Sequence, residues 1–293
     1  MIPPPFEYYS AESVPHALSL LGEYGEEAKV LAGGMSLIPL LKLRLAAPSA
    51  LIDINRIGDL SYIRKGPAGE LEIGALTRYT AIEDSALIKQ EYPALHEASA
   101  LVADIHIRNL GTIGGSIAHA DPALDVPTAL LALGARVLIA GNPGERICNL
   151  DDFFVDSFTT QLAHDELVTG ITIPKLAERT GTAYLKFSRR SGDFAIVGVA
   201  AALTFSEDGQ CTAARIALEA AGPTLLRANT AESTLVEGRH LSREVVEAAA
   251  SKAAQECEPA SDLYGSETYK REMVRVYTKR AIRTAMSRVD GVA

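Results

Sequence analysis

Cysteine is scarce and scattered: Cys148, Cys211 and Cys257 each stand alone, with no CxxC pair. An iron–sulfur cluster needs a close set of thiolates, so this chain does not ligate one itself. The six histidines include no HExxH, which leaves a zinc hydrolase site without support. No apolar run reaches the roughly 18 to 20 residues of a membrane span. The start, MIPPPFEYY, lacks the basic residues and apolar stretch of a signal peptide, so a cytoplasmic location is expected. Positive charge is also short: the net charge is −9, with Lys and Arg scattered, a surface that repels nucleic acid. Neither GxGxxG nor GxxxxGK[ST] occurs, which excludes a Rossmann dinucleotide site and a P-loop.

What is present is an ordered globular composition, 47% hydrophobic and 22% charged over 293 residues, enough for more than one core. Ser13, Val14 and Pro15 suit a helix start, followed by a strand at 29–32, an apolar helix through Leu37, Leu40, Leu41 and Leu43, and a strand at 50–54. Together these predict a small β-α-β-α-β unit ending near Arg56. A hairpin at 62–65 and 70–75 follows across Gly66-Pro67-Ala68-Gly69, then a helix capped by Thr80 with Glu83. The pattern continues with a helix at 94–103, a loop at 107–125, a helix at 128–133, and strands at 136–140 and 146–150 across Asn142-Pro143-Gly144. A strand at 166–173 stops at Pro174. The polar segment 175–181 reads as a linker. Beyond it come three long strands, 183–190, 195–205 and 211–220, and helices at 229–236, 243–256 and 266–288.

Two glycine-rich segments carry chemistry. In VLAGGMSLIPLLKLR a strand runs into Gly33-Gly34, a small hydroxyl residue and a helix. Glycine permits positive φ and close approach, and amides at a helix start converge on an anion. A lone Gly-Gly is more often an ordinary tight turn. The second segment, RNLGTIGGSIAHADPALD, packs Gly111, Gly114 and Gly115 among Thr112, Ser116, His119, Asp121 and Asp125, with Ile113, Ile117 and Ala118 suggesting a loop held inside the fold. Gly34 and Gly114 stand 80 residues apart, and two such turns can grip the halves of a diphosphate.

The ordered set of PPPFEY, AGGMS, RNLGTIGGSIAHADPALD and KFSRRSGDFAIVGVAA resembles the FAD-binding medium subunit of the molybdenum hydroxylases, the group of aerobic carbon monoxide dehydrogenase and xanthine dehydrogenase. The likeness spans nearly the whole chain. It implies an α+β fold: a two-part FAD-binding domain of the vanillyl-alcohol-oxidase (PCMH) type over 1–178, split at 1–56 and 57–178, and a C-terminal domain over 179–293 with a three-stranded antiparallel sheet and helices. By position, the resemblance assigns the diphosphate to Ala32, Gly33, Gly34, Met35, Ser36 and Leu37 and to Thr112, Ile113, Gly114, Gly115 and Ser116, with Leu31 and Gly111 as further cofactor-binding residues. His119, Ala120 and Asp121 follow, with Asp125 near the ribitol or adenosine end. Val102 and Val168 fall at apolar or backbone contacts. Lys186 matches a lysine near the flavin, as against a solvated strand lysine. Phe194 stands where relatives often have tyrosine, either a flavin contact or a core aromatic. Met35 departs from the commoner histidine, which bears on that side chain and not on the backbone cradle.

The function implied is an electron relay. FAD would accept electrons from iron–sulfur clusters on a small partner, after a large molybdenum partner oxidises substrate, and pass them to an external acceptor. The assembly implied is a dimer of heterotrimers. AGGMS and AHADPA look nearer the carbon monoxide dehydrogenase type. A stand-alone flavin oxidoreductase would need an acid or base beside the ring, and a non-catalytic assembly subunit would not need intact glycines in both turns.

Overall fold

The computed structural model describes residues 2–142, 144–289 and 291; Pro143 of the Asn142-Pro143-Gly144 turn lies outside them. The chain opens with β1 (Glu7–Ser10), α1 (Val14–Tyr24), β2 (Ala28–Leu31), α2 (Leu37–Leu43) and β3 (Ala50–Asp53), whose strands form a parallel sheet in the order β1-β3-β2. Ser13 caps α1 by accepting from His16 N at 3.3 Å, and Ala17, Leu20 and Leu21 point inward. They pack on Ala50 and Ile52 of the central strand, which buries both faces.

The second part contains β4 (Ile63–Lys65), β5 (Leu71–Gly74), α3 (Tyr79–Asp84), α4 (Ala86–Glu91), α5 (Pro93–Ala100), α6 (Ile105–Leu110), α7 (Ile113–His119), α8 (Asp125–Ala132), β6 (Arg136–Ala140), β7 (Glu145–Asn149), α9 (Leu150–Phe153), β8 (Phe154–Asp156), β9 (Thr159–Thr160) and β10 (Leu167–Ile173). Its antiparallel sheet runs β4-β5-β10-β6-β7. Two expectations change here. The helix expected to be capped by Thr80 starts two residues earlier, with Arg78 at the cap and no side-chain bond. Tyr79 N donates instead to Gly111 O at 3.2 Å, and Glu83 takes Arg108 Nε at 2.8 Å. The expected loop at 107–125 contains α7 and the end of α6. Asp104 Oδ1 caps α6, accepting from His106 N at 2.8 Å and Ile107 N at 3.0 Å, and Thr112 caps α7.

The last part is an antiparallel sheet of β11 (Thr180–Phe187), β12 (Val197–Phe205), β13 (Cys211–Glu219) and β14 (Leu226–Arg227), with α10 (Asn229–Gly238), α11 (Arg243–Glu256) and α12 (Glu267–Met286). Four strands are present where three were expected. The fourth is a two-residue edge, Leu226 and Arg227 opposite Leu218 and Ala217, too short to leave a periodicity. Residues 174–179 form no strand or helix, and β11 takes up Thr180 and Gly181.

Both faces of this sheet are covered. Ala183, Val199, Ala201 and Ile216 meet Val274, Ala281 and Ile282 of α12 and the other two helices. Each fully buried Val or Ile contributes about 1.5–3 kcal/mol, which is how a helix as polar as α12 stays docked. Tyr184, Ala200 and Ala217 point the other way, into the core of the second part. Glu97 of α5 accepts from Tyr184 N at 2.9 Å and also pairs with Arg288. No helix among the described residues is long and apolar enough to cross a membrane.

Candidate functional site

The two glycine segments touch. A Cβ on Gly33 would lie 2.2 Å from Leu110 O and 3.0 Å from Gly111 Cα, so only glycine lets the first turn seat against the second. Gly34 has φ +72°, the left-handed geometry that turns the end of β2 into α2. The carbonyls of Gly34 and Ser36 accept from Ile38 N at 3.0 Å and Leu40 N at 3.2 Å. The N–H groups of Gly33, Gly34, Met35, Ser36 and Leu37 donate to no protein acceptor among the described residues. A run of free amides at a strand-to-helix turn is a set of donors arranged for an oxyanion.

The second segment differs. Ile113 N donates to Thr77 O at 3.1 Å, Gly114 N to Ala75 O at 2.9 Å, Gly115 N to Thr112 Oγ1 at 3.2 Å and Ser116 N to Thr112 O at 3.1 Å. Its amides are therefore engaged, and it cannot mirror the first turn. Gly114 is buried, and a Cβ there would sit 2.8 Å from Ala75 O. Gly115 is exposed, with its Cβ position 4.0 Å from Ala32 Cβ across the gap between the turns. Ser116 Oγ is buried beside the Tyr79 phenol but makes no well-formed hydrogen bond among the described residues. A hydroxyl in that state costs about 1–3 kcal/mol unless a ligand meets it.

Residues that carried no sequence signal hold the two turns together. Asn55 Nδ2 donates to Ala32 O at 2.9 Å and to Asp53 Oδ1 at 2.7 Å. Arg78 Nη2 donates to Asn55 Oδ1 at 2.6 Å, and its Nη1 bonds the Leu110 carbonyl. Burial lowers the Arg78 guanidinium from its ordinary value, with the Asp53 charge opposing. An arginine so far above neutral stays charged. The Tyr79 ring packs on Gly111, and burial raises its phenol well above the ordinary value, with the Ser116 hydroxyl opposing. A lone Asn or Arg beside a strand end looks like any surface residue, so no signal could have found them.

Away from the turns lies a second cluster. Lys186 Nζ is 2.9 Å from Asp125 Oδ1 and 3.2 Å from Leu101 O, with only 4% of its side chain exposed, so it is not a solvated strand lysine. Val102, half-buried, follows Leu101 and offers its carbonyl to Arg108 Nη1 at 3.0 Å. The loop carrying Phe194 reaches the same place, with the Gly192 Cβ position 3.1 Å from Ala103 O. Phe194 itself is 63% exposed, which rules out a core aromatic. Val168 is buried in β10 opposite Ile139, next to Thr169, whose carbonyl holds Ala75 N at 3.0 Å.

His119, Ala120 and Asp121 sit at the far end of α7, about 10 Å along the helix from Thr112. The His119 ring packs on Phe158 with centroids 5.2 Å apart, and burial lowers its imidazole against the pull of Asp121. Ala120, with φ 54°, closes that end, and Asp121 Oδ1 accepts from Ala123 N at 2.9 Å. These three are not brought to the amides of the first turn.

Residues 4–176 match the family model described as FAD binding domain in molybdopterin dehydrogenase, and residues 182–285 the model described as CO dehydrogenase flavoprotein C-terminal domain. The free amides, the unpartnered Ser116 hydroxyl and the gap beside Gly115 fit the diphosphate of such a cofactor. The fold and site thus define an FAD-binding subunit of an oxidoreductase.

The carbon monoxide dehydrogenase medium chain of Hydrogenophaga pseudoflava is 42% identical over 288 residues, 98% of this chain and 99% of that one. The 6-hydroxypseudooxynicotine dehydrogenase complex subunit alpha of Paenarthrobacter nicotinovorans is also 42% identical over 288 residues, 98% of this chain and 97% of its own. The solved carbon monoxide dehydrogenase of Hydrogenophaga pseudoflava superposes with TM-score 0.95 at 43% identity, covering 99% of this chain and 100% of that one. This chain belongs to the family of FAD-binding medium subunits of the molybdenum hydroxylases. Its relatives are named as chains or subunits of larger enzymes.

Proposed function

We propose that the amides of Gly33 to Leu37 hold the FAD diphosphate, with Leu31 and Ala32 leading into them and Gly115 and Ser116 closing the opposite side. Gly111, Thr112, Ile113 and Gly114 shape that wall from behind. Asp125, Lys186, Val102 and the Phe194 loop form the part of the site contributed at the junction with the last sheet. The single observation carrying this reading is the run of unengaged amides at the first turn, which has no structural use within the chain. FAD, when bound, supplies electron exchange between two-electron and one-electron carriers. The chain's own residues bind and orient it, and none is assigned a catalytic role.

The chain works, in this reading, as the middle of a relay between a small iron–sulfur subunit and an external acceptor, with a large molybdenum subunit oxidising substrate. Two heterotrimers pair in the assembled enzyme, in the cytoplasm. Substrate choice belongs to a partner. Two relatives equally identical to this chain are named for carbon monoxide and for 6-hydroxypseudooxynicotine, which supports that assignment. The proposed division is 1–178, split at 56, and 179–293. It is supported by the break between the two family matches and by the absence of strand or helix at 174–179.

Purification of the native enzyme tests the relay. Co-elution of this chain with a smaller and a larger one, together with FAD, iron and molybdenum, is the expected result. A lone yellow chain that turns over substrate contradicts it.

A further inference from the structure

Four side chains meet where the helices of the second part press on the last sheet. Asp125 enters from the first turn of α8, Tyr184 and Lys186 from β11, and Glu219 from the end of β13. Glu219 is fully buried, and Gly198 opposite it on β12 leaves room for the carboxyl: a Cβ there would lie 2.3 Å from Glu219 Oε1. Tyr184 Oη is 2.5 Å from Asp125 Oδ1 and 2.8 Å from Glu219 Oε1.

Hydrogen-bond counting then fixes the protons. A phenol has one proton and can donate to one of these oxygens only. If both carboxyls were ionised, the second would face the phenol oxygen's lone pairs in an enclosed site, a repulsive contact without compensation. One carboxyl must therefore carry a proton. Lys186, 2.9 Å from Asp125 Oδ1 and 3.0 Å from Oδ2, places the negative charge on Asp125. Glu219 Oε2 has no hydrogen-bond partner among the described residues, which an acid tolerates far better than a carboxylate. The other polar groups packed around this end of β13 are already engaged. Thr128 on α8 also approaches the Glu219 carboxyl, but its one proton goes to Leu124 O at 3.0 Å, so towards Glu219 its oxygen can only accept; Arg227 of β14 and Glu232 of α10 pair with each other beside Ile216.

We propose that Glu219 is a positioning residue of the FAD site: as a neutral acid it donates to Tyr184 Oη, the Tyr184 hydroxyl donates to Asp125, and Asp125 is thereby held as the ionised partner of Lys186. The inference rests on reading Asp125 and Lys186 as FAD-site residues. In this state the enclosure holds one negative and one positive charge. Ionisation of Glu219 sets two carboxylates on one hydroxyl proton and draws Tyr184 and Lys186 away from Asp125 alone.

The direction of titration agrees. Burial first, then the Asp125 charge, push the Glu219 carboxyl from an ordinary 4.5 up to about 8, against Thr128, Tyr184 and Lys186. Burial likewise raises the Asp125 carboxyl, with Lys186 opposing, and raises the Tyr184 phenol further from ionisation. Folding thus takes up a proton at Glu219. The stability this group allows is fully present below about 4.5, falls as pH rises, and is lost above about 8.

Infrared spectroscopy of the whole chain, with ¹³C-glutamate labelling, tests this together with FAD titration across pH in wild type and Glu219→Gln. Glutamine mimics the neutral acid, because its amide can donate to Tyr184. The expected result is a protonated-carboxyl band from glutamate at neutral pH that fades with a midpoint near 8 and is missing in Glu219→Gln. One pH unit above that midpoint the wild-type FAD dissociation constant rises about tenfold, while that of the variant changes by less than about twofold. If the variant fails to fold, the labelled wild-type band decides alone. FAD retention with no such band at neutral pH overturns the Glu219 assignment, as do identical pH profiles in the two proteins. The band is read without flavin as well. A chain that shows it but never takes up FAD overturns the cofactor reading, and with it any role for Glu219 there.

Discussion

Arg78 is the residue on which the joining of the two turns most depends. It bonds a carbonyl of one turn, Leu110 O, and through Asn55 the carbonyl of the other, Ala32 O. Arg78→Ala leaves the Asn55 and Leu110 oxygens without that donor, at a cost of about 1–3 kcal/mol by thermal or denaturant unfolding. FAD affinity is expected to fall with it, tenfold for every ~1.4 kcal/mol of binding lost, as read by flavin fluorescence titration. A variant that unfolds earlier yet binds FAD as tightly as wild type would show that the clip is structural only. At this scale the glycines were legible in the sequence because their density has few other uses. Asn55 and Arg78 were not, because what makes them special is the partners they reach across the chain, Ala32 O and each other, 23 residues away. Glu219 was hidden for the same reason, since its proton depends on Tyr184 and Asp125 from two other elements.

At the scale of elements, the segment read as a loop shows how composition misleads. Glycine, asparagine and aspartate in 107–125 look like turn formers, yet Asp104 and Thr112 cap two short helices, and Ala75 and Thr77, just past β5, supply acceptors for the start of α7. The two glycine turns therefore play different parts: one offers amides, the other a wall and a hydroxyl. Thr112→Val removes the cap on Gly115 N, and chemical denaturation is expected to show a loss of about 1 kcal/mol, within the usual 0.5–2 range. Because the same change shifts Gly115 and Ser116, flavin occupancy should fall too. Unchanged stability would mean that Thr77 and Ala75 alone hold the start of α7. The long strands of the last sheet were legible from their apolar periodicity, whereas β14 was too short to register.

Over the whole molecule, the last sheet is buried on both faces, so the site at the junction is set by how firmly the parts are tied. Glu97 is one tie, accepting from Tyr184 N at 2.9 Å and pairing with Arg288 near the end of the chain. Glu97→Ala leaves a buried N–H unmet beside Tyr184, and unfolding free energy should drop by about 1–3 kcal/mol. Since Tyr184 also carries the link from Glu219 to Asp125, the pH midpoint of FAD binding should move with it, whereas a purely mechanical tie would leave the midpoint in place. The overall plan, a glycine-turn domain followed by a sheet with helices, was readable from order and composition. The close contact between the two turns was not, because it depends on chain segments folded from far apart.

The central claim is that FAD is held on the free amides of the first turn, and Gly34→Val tests it most directly. Gly34 has φ +72°, and a Cβ there would meet only side-chain ends, Ile38 Cδ1 at 2.7 Å and Leu31 Cδ1 at 3.2 Å. The variant is therefore expected to fold at a strain of about 1–3 kcal/mol while its turn amides are displaced. The measurement is the FAD-to-protein ratio of the purified variant, with circular dichroism as the check on folding. A native spectrum with flavin lost is the predicted result; a native spectrum with the wild-type complement of FAD would contradict the account.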